Sequence, residues 1–439
     1  MSSLNPPNEV LTIASTLRRA GHQAWCVGGA VRDALLGHDH LDWDLATSAT
    51  PPEVQKLFKR TVPVGVEFGT VGVLDGKGTL HEVTTFRKDV HTDGRHAVVE
   101  FGASLDDDLA RRDFTINAIA YDPESGELRD PFDGRTDLKR GLVRAVGVAD
   151  ERMREDRLRA LRAIRFAARF HFHIEPGTWA AIKASAPHLG RLSPERVKQE
   201  LEKTMQQVER PSVALEWWRE AGALAVLVPA IAGAPRERFV ALDLLPRVAV
   251  DGDPKGATVA RLAMLFFGDP PEGVEAAARA LRFSNADIAW FTALARARHG
   301  VGNVVDAVLA QRDATPVELR RWIAEVGRTR ADAFCRLTGA LAAARTATPH
   351  DEHGAPQPDP AVVARYERFR EAAVQVAFRD PVEIADLAID GEDLRKAGVK
   401  PGPAMGRVLR DLLDRVIEDP ALNTPAELMK LAASLAEAG

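Results

Sequence analysis

Two aspartates, Asp42 and Asp44, stand two positions apart in the segment LDWDLAT. The segment reads as a β-strand, and because side chains alternate across a strand, both carboxylates project from one face. Paired carboxylates are hard oxygen donors for divalent cations. Two Mg²⁺ ions held between them would activate an attacking hydroxyl and neutralise a leaving pyrophosphate, which is the requirement of nucleotidyl transfer. An Asp-x-Asp pair alone is more often a solvated turn. What sharpens it is Gly28-Gly29, shortly ahead, opening a helix that carries Arg32. Glycines let the backbone approach a triphosphate, a helix N-terminus favours its negative charge, and an arginine there is able to fork onto phosphate oxygens.

The elements that must position these groups follow from local pattern. Val10, Ile13, Ala14 and Leu17 recur at helical spacing behind Asn8 as a cap, and Gly21 marks the stop. QAWCV reads as a strand, GGAVRDALLG as a glycine turn entering a helix, and LDWDLAT as a second strand. TVGVLD and LHEVTTF supply two more, the latter alternating His81, Val83, Thr85 against Leu80, Glu82, Thr84. Residues to about 145 therefore form an α/β unit. Beyond it, Ala/Leu/Arg/Glu segments of helical period predominate, and Ser193-Pro194 in SPERVKQELEK signals one helix start. The stretch Thr346 to Pro360, rich in Pro and charge, reads as a loop before a C-terminal helical unit.

Of 439 residues, 45% are hydrophobic and 28% charged, the balance of a globular protein of several domains. No run approaches the roughly 20 apolar residues that span a bilayer. The first residues lack a secretion signal, and the two cysteines, Cys26 and Cys335, lie far apart, so a reducing, cytoplasmic setting is expected. The net charge of −5 argues against wholesale coating by nucleic acid but hides local patches. One lies between Glu151 and Phe170, with seven arginines against three acids. That segment predicts one basic amphipathic helix, with Asp156, Arg159, Arg162 and Arg165 lining a single groove.

VGGAVRDALLG followed by LDWDLATSATP resembles the signature of the polymerase β superfamily branch that contains tRNA CCA-adding enzymes and bacterial poly(A) polymerases. EVTTFRKD, DGRHAVVEF, DLARRDFTINAIA, DPFDGRTDLKRGLVRAVG, ERMREDRLRALRAIRFAARF and SPERVKQELEK resemble successive motifs of class II CCA-adding enzymes, in order. IDGEDLRKAGVKPGPAMGRVL resembles their tail. The resemblance implies an α+β chain: a polymerase β-like nucleotidyltransferase head (1–145) followed by an all-helical neck (146–210), body (211–345) and tail (361–439). It implies CCA addition to the 3′ end of tRNA from CTP and ATP, two Mg²⁺ ions on Asp42 and Asp44, and no membrane or obligate protein partner. Gly29, Arg32 and Arg112 would hold the nucleotide. Asp113 would recognise a ribose hydroxyl or complete the acidic centre, with Glu82 as the competing third carboxylate.

Base selection without a template has a chemical account. Cytosine and adenine both present an exocyclic amino donor beside a ring-nitrogen acceptor, whereas uracil and guanine reverse that order. Asp156 accepts and Arg159 donates, so the pair takes C or A and leaves U or G with unpaired groups. The resemblance assigns these residues that role and sends Arg162 and Arg165 to nucleotide or primer phosphates. FRKDVHTDGRHAVVEF reads as a mobile loop. GVKPGPAMG, with Lys396, Lys400 and Arg407, is either a phosphate-binding turn or a plain interhelical one. His350, Asp351, Glu352 and His353 are expected to be solvated, and RLAMLFFGDP lacks the His-Asp pair of an additional phosphohydrolase. The rivals are a poly(A) polymerase, a partial CC- or A-adding enzyme, and a catalytically silent RNA-binding protein.

Overall fold

One seven-stranded mixed sheet carries Asp44 at the start of one strand, and another of its strands leads into the Gly28-Gly29 turn. In a computed structural model, the structure describes residues 4–38, 43–92, 97–246, 254–348, 355–396, 398–399 and 401–437. Asp42, Lys400 and the 350–353 cluster lie outside the described residues.

Helix α1 (Asn8–Arg19) buries Val10, Ile13, Ala14 and Leu17, as its period predicts. Each such aliphatic side chain stabilises by about 1.5–3 kcal/mol for full burial. Its cap is Pro7 and not Asn8, which is already helical; proline lacks the N–H that a helix start leaves unpaired. The chain continues through β1 (Ala24–Val27), α2 (Gly29–Leu35), β2 (Asp44–Thr47), α3 (Pro51–Leu57), β3 (Thr61–Gly65), β4 (Thr70–Leu74) and β5 (Leu80–Thr85). β1 and β2 run antiparallel, with Val27 opposite Asp44. β2 and β5 run parallel, with Leu45 opposite Val83. In β5, His81, Val83 and Thr85 are buried, the alternation expected of a sheet covered on one face.

The segment expected as a loop pairs instead as a ladder of β6 (Arg87–Thr92) with β7 (Ala97–Phe101). Its β-branched residues suit strands better than a mobile loop. After α4 (Leu105–Ala110) come β8 (Ala120–Tyr121), β9 (Leu128–Arg129), α5 (Gly134–Arg140) and β10 (Leu142–Val143). Val27, Ala46, Phe86, Leu109, Ala118 and Val146 share a core that ties sheet to α4.

The expected single basic helix is two, α6 (Ala149–Glu155) and α7 (Leu158–Phe170), broken at Asp156 in extended conformation. The Asp156 carboxylate accepts the Leu158 N–H at 3.0 Å. Aspartate bonds to nearby backbone more readily than it continues a helix, so it starts α7 afresh. β11 (His173–Ile174) pairs in parallel with β10, a small exception to an otherwise helical remainder. α8 (Pro176–Ser185) and α9 (Pro194–Gln207) follow, the latter starting at the proline expected.

The chain forms two units, Met1–Glu200 with Trp217–Leu227, and Leu201–Glu216 with Val228–Gly439. The helices from α10 onward are α10 (Pro211–Glu220), α11 (Ala223–Leu227), α12 (Pro229–Ala232), α13 (Arg236–Leu244), α14 (Pro254–Phe266), α15 (Pro271–Ala280), α16 (Asn285–Ala297), α17 (Asn303–Gln311), α18 (Pro316–Val326), α19 (Ala331–Thr346) and α20 (Pro360–Arg379). A bridge between Thr348 and Gln357 ties the two ends of the segment between α19 and α20. Last come α21 (Gly391–Lys396), α22 (Pro403–Glu418) and α23 (Pro425–Glu437), around a core of Leu394, Leu412, Val416 and Leu428. No helix among the described residues is long and apolar enough to cross a membrane.

Candidate functional site

The turn between β1 and α2 brings the first groups together. Gly28 has φ 76°, and a Cβ there would lie 3.3 Å from Arg112 Nη1 and 3.8 Å from Asp44 Oδ2. Both the left-handed backbone and the close approach call for glycine at 28. Gly29 is the first residue of α2. Asp44 and Arg112, far apart in sequence, thus flank one glycine turn. Arg112 gives Nη2 to Asp108 at 3.1 Å, while its buried Nε has no hydrogen-bond partner.

Strand register brings in a further acid. With Leu45 opposite Val83, Asp44 stands beside Glu82 on the neighbouring strand. Leu45 and Val83 are fully buried on one face, so Asp44 and Glu82 share the other, where both are partly exposed. The competing acid, Asp113, is differently occupied. Its Oδ1 accepts from the Phe114 N–H and the Asn117 amide at 2.9 Å each, and its Oδ2 accepts Arg162 Nε and Nη2 at 2.9 and 2.8 Å. Burial pushes its pKa up, but the Arg162 charge and the hydrogen bonds from Asn117 and Arg162 overcome that and hold it at about 2. Among the described residues, no three His, Cys, Asp or Glu side chains gather as a metal cluster. The donor types present, carboxylates at Asp44 and Glu82 with Asp42 next but one in sequence, fit a hard divalent cation.

Arg32 lies elsewhere than its expected place on phosphate oxygens. It is 3% exposed and lies against the rings of both Phe166 and Phe170, at 4.8 and 4.7 Å. Its Nε donates to Asp33 at 2.7 Å and its Nη1 to Asn117 at 2.6 Å. Asp33 in turn accepts Arg169 of α7 at 3.2 Å. Buried charge of this kind is tolerated only when paired throughout, and here it is.

The arginines of α7 divide their tasks. Arg159 donates to Glu155 at 2.6 Å and to the carbonyl of Arg111 at 2.8 Å, gripping the C-terminal end of α4. Arg162 reaches Asp113. Arg165, expected on a phosphate, is 3% exposed and paired with Glu200 at 2.8 Å, so its place on the helix turns it inward. Asp156 lies off the helix and accepts Arg196 at 2.7 Å. The expected groove of four therefore divides: Asp156, Arg159 and Arg162 are part-exposed and each already paired, while Arg165 is buried. Sequence reading missed Asp33, Asp108, Asn117 and Arg169. Asn117, directly after the apolar Ile116 in DFTIN, carried a visible signal, a polar residue inside a buried stretch.

Residues 24–144 match the family described as Poly A polymerase head domain, and 171–234 match one described as probable RNA and SrmB-binding site of polymerase A. Residues 367–432 match tRNA nucleotidyltransferase domain 2, putative. The CCA-adding enzyme of Latilactobacillus sakei is 36% identical over 426 residues, 97% of each chain. The chain belongs to the CCA-adding enzyme family. The CCA-adding enzyme of Limosilactobacillus fermentum is 35% identical over 437 residues, covering 97% of this chain and 96% of that one. The crystal structure of the Bacillus stearothermophilus CCA-adding enzyme in complex with CTP superposes with a TM-score of 0.73 at 30% identity over 98% of both chains. As a CCA-adding family member the chain is an enzyme, a nucleotidyltransferase, and that class generally uses a divalent metal.

Proposed function

We propose that this chain adds C, C and A to the 3′ end of tRNA from CTP and ATP, releasing pyrophosphate, in the cytoplasm. The observation that carries the reading is the meeting of Asp44, Gly28 and Arg112 within about 4 Å of one point, with Glu82 beside Asp44 in register. The relatives that span the whole chain support the substrate.

Asp42, Asp44 and Glu82 would hold two Mg²⁺ ions, with Asp42 placed by sequence alone. When bound, the ions lower the pKa of the tRNA 3′ hydroxyl and balance the charge of the leaving pyrophosphate. Everything else falls to the chain. The Gly28-Gly29 turn admits the triphosphate to the backbone, and Arg112, with its unpartnered Nε, offers a charged donor to it. Asp156 and Arg159 read the base edge, Asp156 exchanging Arg196 for the exocyclic amine and Arg159 donating to the ring nitrogen. Arg162 serves the nucleotide through Asp113, which it holds. Arg32 and Arg165 act as positioning residues: one fixes α2 against Phe166 and Phe170 of α7, the other fixes α7 to Glu200. We divide the chain into a catalytic head (1–145), a base-reading neck (146–210), a body (211–345) and an RNA-holding tail (361–439).

The decisive assay supplies purified protein and Mg²⁺ with tRNA transcripts lacking one, two or all three terminal nucleotides. CTP and ATP are given singly and together, and the products are sequenced. Completion of CCA and arrest there supports the reading. A long A tract makes the chain a poly(A) polymerase, and arrest after CC makes it a partial enzyme.

A further inference from the structure

We infer that the second unit carries an anion site of its own, a cavity of about 390 Å³ that takes a phosphate group. Three guanidiniums line it, those of Arg238, Arg298 and Arg345, with His299 and Asn303 at the exposed rim. Glu237 is the one carboxylate in the lining. The volume falls in the range of small-ligand sites, about 300–1,000 Å³, enough for a phosphate with its attached sugar.

Arg298 decides the chemistry. It opens a single π turn, Arg298–Gly302, between α16 and α17, and such wide turns recur at functional sites. Its side chain folds over Gly302, where a Cβ would stand 2.6 Å from both its Cδ and its Nη1. Any residue but glycine at 302 would displace the guanidinium. Arg298 is 6% exposed; its Nη2 pairs with Asp306 at 2.6 Å, while its Nη1 is buried with no hydrogen-bond partner. A buried donor left unmade is costly, and the guanidinium that carries it lines the cavity.

The other two arginines are anchored from behind. Arg238, 7% exposed, gives Nη1 to Asp269 at 2.6 Å and lies close over Gly268, where a Cβ would meet its Nη2 at 3.1 Å. Arg345 gives Nη1 to Asp306 at 2.8 Å, and Asp306 also accepts the Tyr366 hydroxyl at 3.0 Å. Asp269 fixes Arg238, and the single Asp306 carboxylate fixes both Arg298 and Arg345, so one negative charge is shared by two guanidiniums. Planar forks fixed in this way match the tetrahedral oxygens of phosphate better than flexible lysines would. The phosphate has two possible sources, an internucleotide phosphate of RNA or a free phosphate ion. No residue of the site belongs to the unit that holds Asp44 and Arg112.

The test compares the full chain with Asn303→Asp and Arg345→Gln. Both positions are exposed, so the fold should survive, and Asn303→Asp places a negative charge at the rim with almost no change of shape. Inorganic phosphate is titrated calorimetrically with CTP filling the catalytic site, and tRNA binding is followed across a salt series. Roughly tenfold weaker phosphate binding in both variants, with an unchanged salt slope, supports a free ion. A slope of log K against log salt reduced by about one supports an RNA phosphate. Variants that match the parent in both measurements overturn the site. Nucleotide incorporation at saturating tRNA should be the same in all three proteins; its absence from the parent would remove the catalytic reading and leave this one to stand on the binding data.

Discussion

The Asp113 carboxylate holds the Arg162 guanidinium through two nitrogens at 2.9 and 2.8 Å, joining the segment that follows α4 to the middle of α7. Asn117 binds the other Asp113 oxygen and accepts Arg32, and Arg32 meets Asp33, which meets Arg169. One unbroken polar chain thus runs from the helix behind the glycine turn to the helix behind the base-reading pair. Movement of either helix must break or carry these bonds, so the two are positioned as one body.

The paired aspartates should be indispensable to turnover and dispensable to RNA binding. Asp44→Asn, and independently Asp42→Ala, should lower single-turnover CMP incorporation by about a thousandfold or more, in line with loss of a metal-held charge of several kcal/mol. Filter binding of tRNA should stay within about twofold. Wild-type turnover in either variant would remove the acidic centre from the mechanism.

Glu82 and Asp113 should separate cleanly. Glu82→Gln is expected to lower kcat by about a hundredfold with an unchanged melting temperature, since its side chain is partly exposed beside Asp44. Asp113→Asn should destabilise the first unit by roughly 3 kcal/mol, because it removes the near carboxylate of Arg162 and leaves only Glu200, at 3.9 Å. If Asp113→Asn keeps full stability and loses only kcat, the assignment reverses.

Acid should undo the same pair. The folded pKa of Asp113, at about 2, lies below its ordinary value of 3.8. Its stabilisation is therefore complete above pH 4 and is lost as pH falls from about 4 towards 2, worth about 2 kcal/mol in all. Urea denaturation at stepped pH should show the parent losing more stability than Asp113→Asn across that window. Parallel curves would contradict the linkage.

Arg32 should behave as a positioning residue. Arg32→Ala strands Asp33 and Asn117 in a buried site and should cost about 3–5 kcal/mol. Arg32→Lys keeps the charge but loses the planar contact with Phe166 and Phe170. In the lysine form, KM for CTP should rise more than kcat falls. A kcat loss equal to that of Asp44→Asn would place Arg32 at the reacting phosphate instead.

Nucleotide choice should relax when the reading pair is removed. Arg159→Ala and Asp156→Ala should each lower the preference for CTP over UTP by about 10- to 100-fold in kcat/KM, the scale of one or two lost discriminating hydrogen bonds. Competition assays with equimolar CTP and UTP measure this directly. Unchanged selectivity would move base reading elsewhere.

The sequence by itself determined the four strands β1, β2, β4 and β5 and the starts of α2 and α9, because alternation, helical period and glycine or proline punctuation are local properties of neighbouring residues. It also determined the family, whose motifs are contiguous strings of residues. Tertiary structure alone decided which arginines are open and which are buried. Arg32, Arg159, Arg162 and Arg165 are alike in sequence, and their partners, Asn117, the Arg111 carbonyl, Asp113 and Glu200, lie between 35 and 85 positions away. It decided likewise that Glu82 stands beside Asp44, which rests on the parallel register of two strands separated by a helix and a hairpin. Charge tells what a side chain is able to do; only the packing of distant segments settles what it is left to face.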